Sequence, residues 1–226
     1  PDNHPLKDGK IEIKYMTAKE EDILTSQNLI QKGVVIDRLL DSLILTDGVK
    51  TDDMVLGDKN AIMVAARILA YGPEYSFVIG GETIDVDLSE VNNKEIDSKK
   101  YKDGNKFDLK LPSGNEVTFK LLTHQDEISI ERELTGLKKI NKNDSSQVTT
   151  RLKKMITSVN GSTEIKDIRE YVDKYMLATD ARALRKEYTD LQPDVDLSYN
   201  YIREDGGEEV IDIPVGLNFF WPDDRI

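Results

Sequence analysis

Two adjacent-glycine pairs, Gly80-Gly81 and Gly206-Gly207, each sit between runs in which apolar residues alternate with polar ones. Around the first, Tyr75, Phe77 and Ile79 precede the pair and Ile84, Val86 and Leu88 follow it. A spacing of two predicts a β-hairpin with one apolar face, and adjacent glycines supply the positive φ angles of a tight turn. The second pair predicts a hairpin over roughly 197–213, with Tyr199 and Tyr201 on one arm and Val210, Ile211 and Ile213 on the other. Ribbons of this kind often hold zinc between Cys-x-x-Cys knuckles, yet the 226 residues include no cysteine. Disulfides, thiolate metal sites and cysteine nucleophiles are therefore excluded together. Packing has to close these ribbons instead, and the aromatic segment beside the second one is the nearest candidate.

The stretches between the hairpins read mainly as helices. Ile11, Ile13 and Tyr15 alternate and predict a short strand, after which Thr17 and Glu20 have capping-box spacing and open a helix to about Gln31. Ile36, Leu39, Leu40, Leu43 and Ile44 recur at helical spacing, and Asp58 is placed as the N-cap of a third helix that stops at Tyr71-Gly72-Pro73. A further hairpin is expected at 106–111 and 116–121 around Pro112-Ser-Gly-Asn115. From His124 the period turns helical. Stripes are Ile130, Leu134 and Leu137; Val148, Leu152, Met155 and Ile156; and Ile165, Ile168, Val172, Tyr175 and Met176, with a last helix from Ala178 to about Leu191. The fold class is α+β: N-terminal helices, hairpins with Gly-Gly turns, a helical middle, and a C-terminal hairpin with an aromatic tail. The expected segments are 1–123, 124–192 and 193–226, forming one or two compact units.

A net charge of −12 opposes generic binding to a phosphate backbone. The basic run of Lys94, Lys99, Lys100, Lys102, Lys106 and Lys110 is interrupted by Asp97, Asp103 and Asp108, as in a solvated loop. No stretch approaches the ~18 apolar residues of a membrane span. The start, Pro1 to Lys10, is polar and shows no signal peptide, and it lacks an initiator Met.

Chemistry-bearing groups are sparse. Asp85 with Asp87 and Asp194 with Asp196 are paired carboxylates at spacing two, which alternation alone explains as a solvent face. His4 and His124 are the histidines, and neither has a partner at triad spacing. Gly57-Asp-Lys-Asn60 lacks the spacing of a phosphate loop. No catalytic residue, metal ligand or cofactor is expected. Phe219-Phe-Trp-Pro222 stands out as three consecutive large aromatics, with Trp221 the sole tryptophan. Two readings stay open: a segment that folds back to fill its own core, or an anchor of Phe219, Phe220, Trp221 and Pro222 on a partner.

Several segments in order resemble the baseplate hub subunit and hub assembly family of T-even-like contractile-tailed bacteriophages. They are Met16-Thr-Ala-Lys-Glu-Glu-Asp-Ile-Leu24; Leu56-Gly-Asp-Lys-Asn60 leading into Ala66-Arg-Ile-Leu-Ala-Tyr-Gly72; and Val117-Thr-Phe-Lys-Leu-Leu-Thr123. Asp180-Ala-Arg-Ala-Leu-Arg185 and Asn218-Phe-Phe-Trp-Pro222 complete the series. The resemblance implies a non-enzymatic structural or assembly component of the tail baseplate hub. It would be assembled in the host cytoplasm and work through interfaces with other tail or baseplate proteins or with copies of itself, without nucleic acid or membrane. Related sequences often carry Cys-x-x-Cys pairs where this chain has its Gly-Gly turns, so metal binding does not transfer. The rival classes are a transient assembly chaperone that screens a partner with its acidic surface, and a metal-dependent hydrolase using Asp85 and Asp87.

Overall fold

The computed structural model describes residues 9–140, 146–203 and 206–220. The architecture is α+β, with helices and small antiparallel sheets. Among the described residues two compact units interleave along the chain: one takes 52–56 and 95–192, the other takes 9–51, 57–94 and those from 193 to 220. This grouping cuts across the segments 1–123, 124–192 and 193–226. The hairpin before residue 123 gains its third strand from beyond residue 155, so it belongs with the helical stretch.

In the unit built from both chain ends, the capping box forms as its spacing requires. The Glu20 carboxylate accepts from the Thr17 backbone N–H at 2.9 Å and from Lys14 Nζ at 2.6 Å, and the residue is fully buried. Helix α1 (Ala18–Thr25) stops at Ser26, whose extended ψ of 103° separates it from α2 (Gln27–Gln31), so the single expected helix is two. The expected strand at 11–15 shrinks to a bridge between Ile13 and Ile44. Helix α3 (Val35–Leu43) buries Leu39, Leu40 and Leu43.

Helix α4 (Leu56–Tyr71) begins two residues before the expected N-cap, which places Asp58 inside its first turn. Gly57 is needed there for space: a Cβ would lie 1.8 Å from the Pro193 carbonyl oxygen and 2.7 Å from Asp194 Cα. The helix ends at Gly72, φ +85°, as the Tyr-Gly-Pro signal predicts. Buried Arg67 donates to the carbonyls of Gly72 and Glu74, both at 3.2 Å, and lies over the Tyr71 ring, fixing the exit toward the first hairpin.

In the other unit, strands β3 (Phe107–Lys110) and β4 (Glu116–Phe119) pair antiparallel around the expected turn. Helices α5 (His124–Ile140), α6 (Gln147–Met155), α7 (Ile165–Glu170) and α8 (Ala178–Leu191) follow, and a π-helical turn at Tyr171–Tyr175 extends α7. Ile156 leaves the predicted helical stripe and starts strand β5 (Ile156–Val159), which pairs with β4. Phe107, Phe119, Leu152, Ile168, Val172 and Leu184 belong to one buried apolar cluster. Asp180, fully buried in the first turn of α8, accepts from the Ser113 N–H at 3.0 Å and so ties the β3–β4 turn to that helix.

Two outcomes follow. Gly57→Ala should destabilise the chain by several kcal/mol (about 2 or more), read as a lowered denaturation midpoint, because backbone must move to admit the methyl group. Lys14 and Thr17 hold the Glu20 carboxyl at about 2, below its ordinary 4.5. A depressed carboxylate stabilises the fold fully above 4.5 and loses that contribution as pH falls through 2. Glu20→Gln should therefore lower stability at neutral pH and flatten the acid limb of a stability–pH curve across that window.

Candidate functional site

Strands β1 (Glu74–Ile79) and β2 (Glu82–Asp87) form the first ribbon, with Ile79 opposite Glu82. Gly80 and Gly81 have φ of +62° and +95°, the two-residue turn that their sequence predicts. Tyr75, Phe77, Ile84 and Val86 face inward and are buried. A 3₁₀ turn at Leu217–Phe220 covers this face: the Phe219 ring meets Tyr75 edge-on at 4.9 Å and Phe220 at 5.6 Å. The Tyr75 hydroxyl donates to the Pro214 carbonyl at 3.2 Å. Phe219 and Phe220 have no exposed surface and fill the core of their own unit, which is the first of the two readings left open and leaves these two rings no surface for the partner-anchor reading. Trp221 and Pro222, the rest of the expected anchor, lie outside the described residues. The described part of the aromatic segment, Phe219 and Phe220, thus packs on the first ribbon.

Strands β6 (Ser198–Ile202) and β7 (Glu208–Asp212) form the second ribbon. Its connection spans 203–207, closed by Arg203 N–H to the Gly207 carbonyl at 2.9 Å, so Gly206-Gly207 is not a two-residue apex. Gly206 alone of that pair has a positive φ, +78°. The register sets Tyr199 opposite Ile211 and Asn200 opposite Val210, so Val210 shares the face of Ile202, away from Ile211 and Ile213. Neither face of the two strands is fully buried, and Ile202 and Val210 are 68% and 66% exposed. The ribbon is anchored at its base, where Asn93 bridges Val195 and the Ile213 N–H donates to the Leu197 carbonyl at 2.8 Å. A two-stranded hairpin without a covered face is marginal in water.

The paired carboxylates are engaged locally. Asp85 accepts from Ser76 Oγ at 2.6 Å across the first ribbon. Asp87 accepts from the Ser89 hydroxyl and N–H, which hold its carboxyl below the usual range. Asp196 accepts from the Ser198 hydroxyl and N–H with the same effect. Asp194 accepts from the Val195 N–H and from Asn60 Nδ2. Among the described residues no cluster of three or more His, Asp or Glu side chains is arranged to hold a metal. His124 opens α5, its N–H donating to the Met54 carbonyl, and His4 lies outside the described residues. Gly57 to Asn60 form the first turns of α4.

A second uncovered apolar feature went unread in the sequence: a hollow of about 380 Å³ lined by Ile11, Ile13, Ala61, Ile62, Ala65 and Ile68, among others. Ala61, Ala65 and Ile68 at helical spacing, with the alternating Ile11 and Ile13, were its signal in the sequence. Among the described residues no helix is long and apolar enough to cross a membrane. No protein-family model, curated protein or solved structure matches the chain.

Truncating a fully buried aromatic ring that touches two others costs about 3–5 kcal/mol. Phe219→Ala is therefore expected to lower the unfolding free energy by about that much in a denaturant titration, whereas a ring reserved for a partner would leave it within about 0.5 kcal/mol.

Proposed function

We propose that the chain is a non-enzymatic structural or assembly component of a contractile phage tail baseplate hub, working through protein–protein interfaces. The uncovered β6–β7 ribbon supports the interface half of this reading: an exposed two-stranded sheet carrying Ile202 and Val210 gains stability when another protein covers it. The ordered series of segments, from Met16 to Leu24 through to Asn218 to Pro222, supports the hub half by resemblance. Interfaces of obligate assemblies bury about 2,000 Å² or more in total, so the ribbon is one part of such a contact.

Quantitative mass spectrometry of purified tails tests the assignment, with the chain expected at a fixed stoichiometry. Assembly that depends on the chain, followed by its absence from finished particles, overturns the structural part in favour of the transient chaperone. Tails that form normally without the chain overturn both.

A further inference from the structure

The backbone pattern of the second ribbon identifies which groups its own ladder leaves unpaired. The Ile213 N–H donates to the Leu197 carbonyl and the Arg203 N–H to the Gly207 carbonyl, so Leu197–Ile213 and Arg203–Gly207 are hydrogen-bonded pairs. Antiparallel pairs alternate between bonded and non-bonded, so odd-numbered residues of β6 turn their N–H and C=O toward β7. Even-numbered residues therefore turn theirs outward: Ser198, Asn200 and Ile202 on one edge, Glu208, Val210 and Asp212 on the other.

The two edges are not equivalent. At the foot of the β6 edge, the Asp196 N–H donates to the Asn92 carbonyl, and the Ser198 N–H is taken by the Asp196 carboxylate. The β7 edge has no strand beside it among the described residues. Its outward-bonding residues carry their side chains on the same solvent face, reading carboxylate, apolar, carboxylate: Glu208, Val210, Asp212. A second copy cannot use this edge well. Antiparallel self-pairing centred on Val210 sets Glu208 opposite Asp212, and like charges directly opposite are destabilising.

We propose that the β7 edge receives an extended segment of another protein as a third strand, one with basic residues flanking an apolar residue at spacing two. Main-chain bonds to Glu208, Val210 and Asp212 hold it, the apolar side chain packs on Val210, and each basic side chain faces a carboxylate. This rests on the reading that the chain works through protein interfaces and names the chemistry of one partner.

The probe is a capped peptide, Thr-Lys-Thr-Val-Thr-Lys-Thr, titrated into the full chain, with the same peptide carrying Glu for Lys as the comparison. Saturable binding of the Lys peptide is expected, with the Val210 amide gaining hydrogen-exchange protection and affinity falling with added salt. Val210→Pro removes an outward N–H without touching a β6–β7 bond, and should weaken binding about tenfold. The double variant Glu208→Lys, Asp212→Lys should reverse the preference to the Glu peptide, which keeps the test decisive if the proline variant misfolds. No saturable binding, equal binding of both peptides, or a preference unmoved by charge reversal overturns the proposal. If tails still retain the chain, the edge assignment alone has failed; loss of both results removes the interface reading itself.

Discussion

The C-terminal third of its unit depends on how closely the returning chain can approach α4. Pro193 passes so near Gly57 that no side chain fits between them, and φ at Gly57 is not positive, so the requirement there is room rather than backbone conformation. That crossing places Asp194 where its carbonyl accepts from the Lys94 N–H at 2.8 Å and its carboxylate from Asn60. The Asn93–Val195 bridge follows, then the second ribbon, and then Pro214, whose carbonyl takes the Tyr75 hydroxyl. Phe219 reaches the first ribbon only because each of these steps is in place. A methyl group at residue 57 therefore acts on a hairpin and an aromatic core distant from it in sequence.

Buried charge marks the joints of both units. Glu20 is held by Lys14 and Thr17, Lys59 by Asp37 at 2.5 Å, and Arg67 by two carbonyls at the end of α4. Asp180 takes the N–H of a turn residue distant in sequence. A buried charge that loses its partner costs several kcal/mol, while a paired one adds little net stability over an apolar substitute. Their effect is on uniqueness: each pair is satisfied in one arrangement of its elements. A chain with 33% charged residues can in this way order many short elements around modest apolar clusters.

Local signals were legible wherever local energy decides. The first hairpin, the Thr17–Glu20 box, the Gly72 stop and α8 all follow from residues within a few positions of one another. Ile156 was misread because Leu152, Met155 and Ile156 fit a helical face, and only pairing with β4, far back in the chain, makes it a strand. The N-cap expected at Asp58 lies three residues past the actual cap position because any of several polar residues before an apolar stripe can serve as a cap, and backbone crowding at Gly57 is invisible in sequence. The candidate site was half legible. Alternation found the second ribbon and its two arms, while the parity that sends Val210 to the face opposite Ile211 and Ile213 follows from the register.

That parity decides what the two ribbons become. In the first, every inward apolar residue falls on one face, and the Leu217–Phe220 turn covers it. In the second, apolar side chains are divided between the faces, so no single covering element within the unit can bury them all. A metal would have pinned the strands together without a core, and without cysteine only the ladder and the base remain. The contacts that tie the ribbon to its unit lie at its base, at Asn93–Val195, with Leu197–Ile213 closing the strands there. Under the proposed reading, a covering partner spends part of its binding free energy fixing the exposed side chains of the ribbon. On that reading of the chain as an assembly component, each edge would engage loosely and stable incorporation would take several contacts together.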